Sequence, residues 1–247
     1  MHKIDFTYDS LRALLEHGRT IAPITTMRAR RSDGCIVLRH DVDFDICQAY
    51  ELSKIEKKMD VTSTFFIMTT CPTYNPRAKE NRKMIKEMAA DGFEIGLHFD
   101  PTVYGDVDMT VLKKHVDAEA AVLENITGWK ITSISLHNPS VTGMYPIFEG
   151  YDNAYSKEIF SDDLYISDSC KNFRGKDPFS FLEKAREHTV QMVLHPIHWS
   201  NDGASYPEAF SRYFARNAES IDHYFQVNPT YILDLGGVKL WDEIRRK

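Results

Sequence analysis

Five short apolar runs in this 247-residue chain each end in an aspartate or a histidine. CIVLRHDVD delivers Asp41 and Asp43, FEIGLH delivers His98, ITSISLH delivers His137, LYISD delivers Asp168 and VQMVLH delivers His195. Carboxylates and imidazoles are the side chains that hold divalent metals and move protons. Asp41 and Asp43 stand two apart, so both point to one side of an extended segment. Two such carboxylates repel unless a cation or a shared proton intervenes. One Asp with two His and an open position is a ligand set for a catalytic zinc, and it suits other first-row divalent ions equally well. Taken singly these residues have plainer readings: His98 as a satisfied core histidine, Asp41 as a turn or helix-cap residue. Their recurrence at one kind of position is what points to a site. His40 faces the opposite side of its strand and reads as structural. The segment LHPIHW adds His198 and Trp199 beside His195. Two histidines three apart could be a metal pair, but His195 reads better as an acid–base group, with His198 behind it or against a substrate.

These residues need elements that bring them together. The apolar runs 35–38, 62–68, 93–97, 131–136, 164–167, 190–194 and 231–235 read as strands. Periodic stretches at 46–59, 77–91, 108–127, 178–188 and 206–225 read as helices. Alternation of this kind implies a parallel sheet covered by helices. About seven strands in one domain favour a closed or nearly closed (β/α) barrel, with an open doubly wound sheet as the alternative. No GxGxxG or Walker motif follows the first strand. Parallel strands share a direction, so residues at their carboxyl ends meet on one face, where α/β barrels place their chemistry.

The bulk properties narrow the function classes. With 43% apolar residues the chain can bury a large core as a single domain over 1–247. Thirty basic against 36 acidic residues, net charge −6, argue against a nucleic-acid surface. No apolar run reaches the length of a membrane span. Four cysteines, at 35, 47, 71 and 170, form no metal-ribbon or CxxC spacing, as expected of free thiols in a cytoplasmic protein.

Four segments resemble the polysaccharide deacetylase family, the NodB-homology domain of carbohydrate esterase family 4. RHDVD resembles the acidic first motif, TSTFFI the strand after it, GFEIGLH the second motif with its metal-binding His, and MVLH the final motif. The order and approximate spacing agree from about residue 33 to 200. The resemblance implies a distorted (β/α) barrel that hydrolyses an N-acetyl group on a sugar or sugar conjugate, using one divalent ion, zinc first among the candidates. It makes Asp41 the base, Asp43 and His98 metal ligands, His195 the general acid and Asp168 the residue that orients that acid. Asp43 comes one residue later than the family pattern, and Thr102 stands where the second metal His belongs. SLHNPS occupies the place of an Arg-x-Pro segment, so His137 is expected to supply the missing ligand, with Pro139 stiffening the loop. His198, Trp199 and Tyr104 are expected to touch the substrate, with Tyr206 as a further stacking residue. Hydrolysis of another C–N or phosphoester bond, or sugar binding without catalysis, are the alternatives.

Overall fold

The computed structural model describes residues 4–245. It divides into two compact units, one ending at Gly203 and one beginning at Ala204. The first unit is built on a single sheet of β1 (Ile24–Thr25), β2 (Cys35–Val42), β3 (Thr64–Ile67), β4 (Glu94–Phe99), β5 (Ser133–Leu136), β6 (Asp152–Asn153), β7 (Tyr165–Ser167) and β8 (Thr189–Leu194). Seven strands run in the order β6-β5-β4-β3-β2-β8-β7, and β1 pairs with the start of β2. Every pairing is parallel. The sheet curls into half a barrel, a distorted form of the (β/α) barrel. Around it lie α1 (Tyr8–Ile21), α2 (Ile46–Lys58), α3 (Lys79–Ala90), α4 (Met109–Thr127), α5 (Pro139–Thr142) and α6 (Pro178–Leu182).

Side-chain alternation explains how a fully buried strand can carry polar groups. In β2, Ile36, Leu38 and Val42 join the large apolar core with Leu11 and Leu14 of α1, Leu52 of α2 and Val116 of α4. The alternate residues Cys35 and Val37 pack in a separate cluster with Phe66 and Met27 on the concave side. Arg39 and Asp41 share that parity and lie on the same concave side. His40 falls on the helix side, where its Nε2 meets Glu56 Oε1 of α2 at 2.6 Å and Ser63 donates to the other Glu56 oxygen at 2.6 Å. His40 is therefore structural, as its parity implies.

The concave side is polar in layers. At its base Glu94 accepts from Thr64 Oγ1 at 2.9 Å, Ser133 Oγ at 2.5 Å and the Arg28 amide at 2.9 Å. One layer up, Phe66 pairs with Gly96 in register. A Cβ on Gly96 would stand 2.5 Å from the Phe66 ring and 3.1 Å from the Ser133 carbonyl, so any larger residue would have to displace its neighbours.

Two elements depart from the sequence reading. β2 continues to Val42, because β3 pairs with Arg39–Val42; Asp41 thus lies inside the strand and only Asp43 follows it. The run 231–235 is not a strand. Residues Pro229–Asp234 form a helix, α8, and this second unit also contains α7 (Tyr206–Phe225) and α9 (Leu240–Arg245). Asn228 caps α8 by accepting from the Thr230 amide at 2.9 Å, with Pro229 at the first helical position. A cap followed by Pro signals a helix start, and a short apolar run cannot be distinguished from helix by periodicity. Among the described residues no helix is long and apolar enough to cross a membrane.

Candidate functional site

Strands β2, β4 and β5 deliver three ligand-type side chains to one point above the Gly96 layer. Asp43 Oδ1 lies 2.9 Å from His98 Nε2 and 3.3 Å from His137 Nδ1. The two imidazoles stand edge to face, with centroids 5.3 Å apart. His98 is set by its strand parity with Gly96. His137 is aimed by the residue after it: Asn138 adopts a left-handed conformation at φ 46°, a region that Asn tolerates better than most residues, and Pro139 then starts α5. Thr102, at the position of the expected second histidine, instead lies in a turn with its amide and hydroxyl both on Asp100 Oδ1.

The donor set fits a divalent ion. Tetrahedral coordination with bonds of about 2.0–2.1 Å puts ligand atoms roughly 3.3 Å apart, close to the separations found here. Burial alone would raise the Asp43 carboxyl. The hydrogen bonds from His137 and His98 and the charge of His195 outweigh it and hold the group well below the usual carboxylate range. Those bonds and the nearby cation favour the charged form, the form that binds a metal. A ligand histidine usually anchors its far nitrogen. His137 Nε2 has the Asn138 side chain at 2.9 Å, whereas His98 Nδ1 is buried with no protein partner.

Asp41 occupies the same cavity one step deeper. Its Oδ2 accepts from Arg39 Nη2 and from Ser135 Oγ, each at 3.3 Å, and its Oδ1 is buried without a partner. Arg39 is fully buried, lies over the Tyr155 ring at 4.9 Å and donates to the Tyr155 hydroxyl at 3.0 Å. The sequence reading missed this partner of Asp41. Its signal was present: an arginine two residues before the aspartate on one strand must share its face.

The third group joins the ends of β7 and β8. His195 Nδ1 lies 2.6 Å from Asp168 Oδ1, and His195 Nε2 lies 3.7 Å from Asp43 Oδ2. Asp168 also accepts from the His195 amide and, at 2.9 Å, from Trp199 Nε1, with His198 Nδ1 at 3.2 Å. Burial would lower the His195 imidazole, but the Asp168 charge and hydrogen bond, with Asp43 and Asp41 behind them, raise it to about 9. Burial would likewise raise Asp168; the charges of His198 and His195 hold it well below 3.8.

A cavity of about 360 Å³ opens over Asp41, Asp43, His98 and His195. Its walls carry Tyr145, Tyr155, Phe160, Tyr165 and Phe173. None of these was singled out in the sequence, although 145–165 is dense in aromatics. Three of the residues expected to touch substrate lie outside this lining. Trp199 is fully buried in the core with its N–H on Asp168. His198 is buried behind His195, its ring near-perpendicular to that of Phe6. Tyr104 stacks on His115 at 3.7 Å and donates to Glu119, outside this cavity. Tyr206 belongs to the second unit.

No family model matches the chain, and no curated protein does. Solved structures do. The structures it is similar to include family 4 carbohydrate esterases. A family pseudoenzyme from Bacillus anthracis is 15% identical with a TM-score of 0.42, over 75% of this chain and 60% of that one. The peptidoglycan deacetylase from Bacillus subtilis is 14% identical with a TM-score of 0.45, over 78% and 98%. The chitin deacetylase from Colletotrichum lindemuthianum is 17% identical with a TM-score of 0.47, over 72% and 80%. The chain spans 60% of the length of the pseudoenzyme.

Proposed function

We propose that this protein is a metal-dependent hydrolase that removes the acetyl group from an N-acetylated sugar or sugar conjugate. One observation supports this reading above the others: Asp41, with one unpartnered oxygen, lines one cavity with Asp43, His98 and His195, and His137 completes a two-histidine, one-carboxylate cluster with Asp43 and His98. Asp43, His98 and His137 would hold the ion, zinc being the first choice. Bound there, a divalent ion polarises a carbonyl and lowers the pKa of water.

The remaining steps belong to the chain's own groups. Arg39 and Ser135 fix one oxygen of Asp41, leaving Oδ1 to accept the proton of the attacking water. Attack gives a tetrahedral centre whose C–N bond must then break, and an amine leaves only if it is protonated. His195, charged at neutral pH and locked through Nδ1 by Asp168, supplies that proton from Nε2. Water and amide are thereby converted to acetate and amine. Tyr155 and Tyr165 stay neutral because burial pushes both phenols up, so they offer hydroxyls and ring faces to a sugar rather than charge. The cavity volume suits one sugar unit or a small conjugate.

The test is acetate release by the purified protein loaded with zinc or cobalt, from a panel of N-acetylated sugars, alongside cyclic amides and phosphoesters. The reading expects acetate release that chelation abolishes and metal restores. Cleavage confined to the other bond types would overturn the substrate class, and metal-independent turnover would overturn the mechanism.

A further inference from the structure

Beyond the groups that touch the cavity, the turn after β3 makes an unusual set of bonds to the segment that carries Asp43. The register between β2 and β3 ends at Val42 and Ile67. Past that point the β2–β3 ladder stops, and main-chain carbonyls need donors of another kind. Three side chains of the turn supply them in succession. Tyr74 Oη donates to the Val42 carbonyl at 2.7 Å and accepts from the Met68 amide at 2.9 Å, acting as one more rung between the strand ends. Cys71 Sγ donates to the Asp43 carbonyl at 3.2 Å. Thr73 Oγ1 donates to the Phe44 carbonyl at 3.1 Å. The turn is itself closed, with the Thr73 amide donating to Cys71 Sγ at 3.5 Å. On the far side Asp45 fixes the chain by capping α2, accepting from the Cys47 amide at 3.0 Å.

We propose that Cys71, Thr73 and Tyr74 are positioning residues that clamp the Val42–Phe44 main chain, so that Asp43 meets His98 and His137 as a preformed ligand for a divalent cation. The inference rests on the metal-centre reading above. A carboxylate on a free loop would have to be ordered by the ion at each binding event, and that cost weakens affinity. Pinning three consecutive carbonyls removes the cost before the ion arrives. Asp43 needs this support more than His98 does, because it lies beyond its strand while His98 lies inside one.

The experiment measures zinc affinity by calorimetry and the visible absorption of bound cobalt, on the full chain. Replacing all three donors (Cys71→Ala, Thr73→Val and Tyr74→Phe together) is expected to weaken zinc binding about tenfold to a hundredfold, the range for residues that orient ligands, and to shift the cobalt bands. Thr73→Ser and Cys71→Ser, which keep a donor, should bind like the parent. Near-ultraviolet dichroism checks that each variant is folded. Should the triple variant unfold, Thr73→Val alone decides, with weaker binding and moved bands expected. If the parent binds metal and folded variants bind equally well with unchanged bands, the clamp is wrong and the metal centre stands. If the parent binds no metal, the metal-centre reading falls and takes the clamp with it.

Discussion

At the scale of single residues the two proposed proton carriers differ in how they are held, and their variants should differ accordingly. Asp41→Asn removes the proton acceptor and His195→Ala removes the donor. Each should lower kcat by roughly 10²–10⁴-fold while near-ultraviolet dichroism stays native. Asp168 acts through His195. A general acid works only while protonated, so activity should fall as pH rises through the His195 pKa, which stands at about 9 with Asp168 beside it. In Asp168→Asn the imidazole loses its largest upward influence, so the alkaline limb of the kcat/KM profile should move to lower pH. A limb that stayed in place would show that another group limits the reaction. Most of these residues were legible in the sequence because each closes an apolar run. Arg39 was legible too, from its two-residue spacing to Asp41, but Ser135 and Tyr155 were not, because their roles come from a distant strand and from a long loop folding back, which no single run displays.

Elements set how tightly the site is built. Strand β4 crosses the Phe66 ring at Gly96, and its register there keeps His98 two residues further along on the same face. Gly96→Ala would force a buried ring or the backbone at Ser133 to move. Overpacking of this kind costs about 1–3 kcal/mol, which urea unfolding would detect as a lower midpoint with an unchanged slope. Helices and strands with clear periodicity were readable: α2, α3, α4 and α7 fall within a residue or two of the expected spans. The exception is 231–235. Its four apolar residues fit strand and helix equally, and the cap at Asn228 with Pro229 decided the outcome. The short strands β1 and β6, two residues each, exist only because neighbouring strands offer them partners, so no local pattern announces them.

Across the whole molecule the charged groups of the site tie stability to pH. Asp43 and Asp168 are held below their ordinary 3.8. What they contribute is full above that value and is lost as pH falls below it. His195 is raised from 6.5 to about 9, so its contribution is full below 6.5 and is lost as pH rises through about 9. The metal-free protein should therefore show a plateau of urea midpoints between about pH 4 and 6.5, falling on both sides. A profile flat from pH 6 to 10 would contradict the His195–Asp168 pairing. The barrel class was readable from alternating elements, whereas the division at Gly203 was not, since no linker-like composition marks it.

Asp168 serves the imidazole of His195 and the indole of Trp199 at once. A carboxylate shared in this way couples an inaccessible chromophore to the ionisation of its neighbour. With Trp129 and Trp241 replaced by phenylalanine, the emission maximum of the remaining indole should drift with the same midpoint as His195. The molecule would then report optically, without an added label, when its acid is loaded.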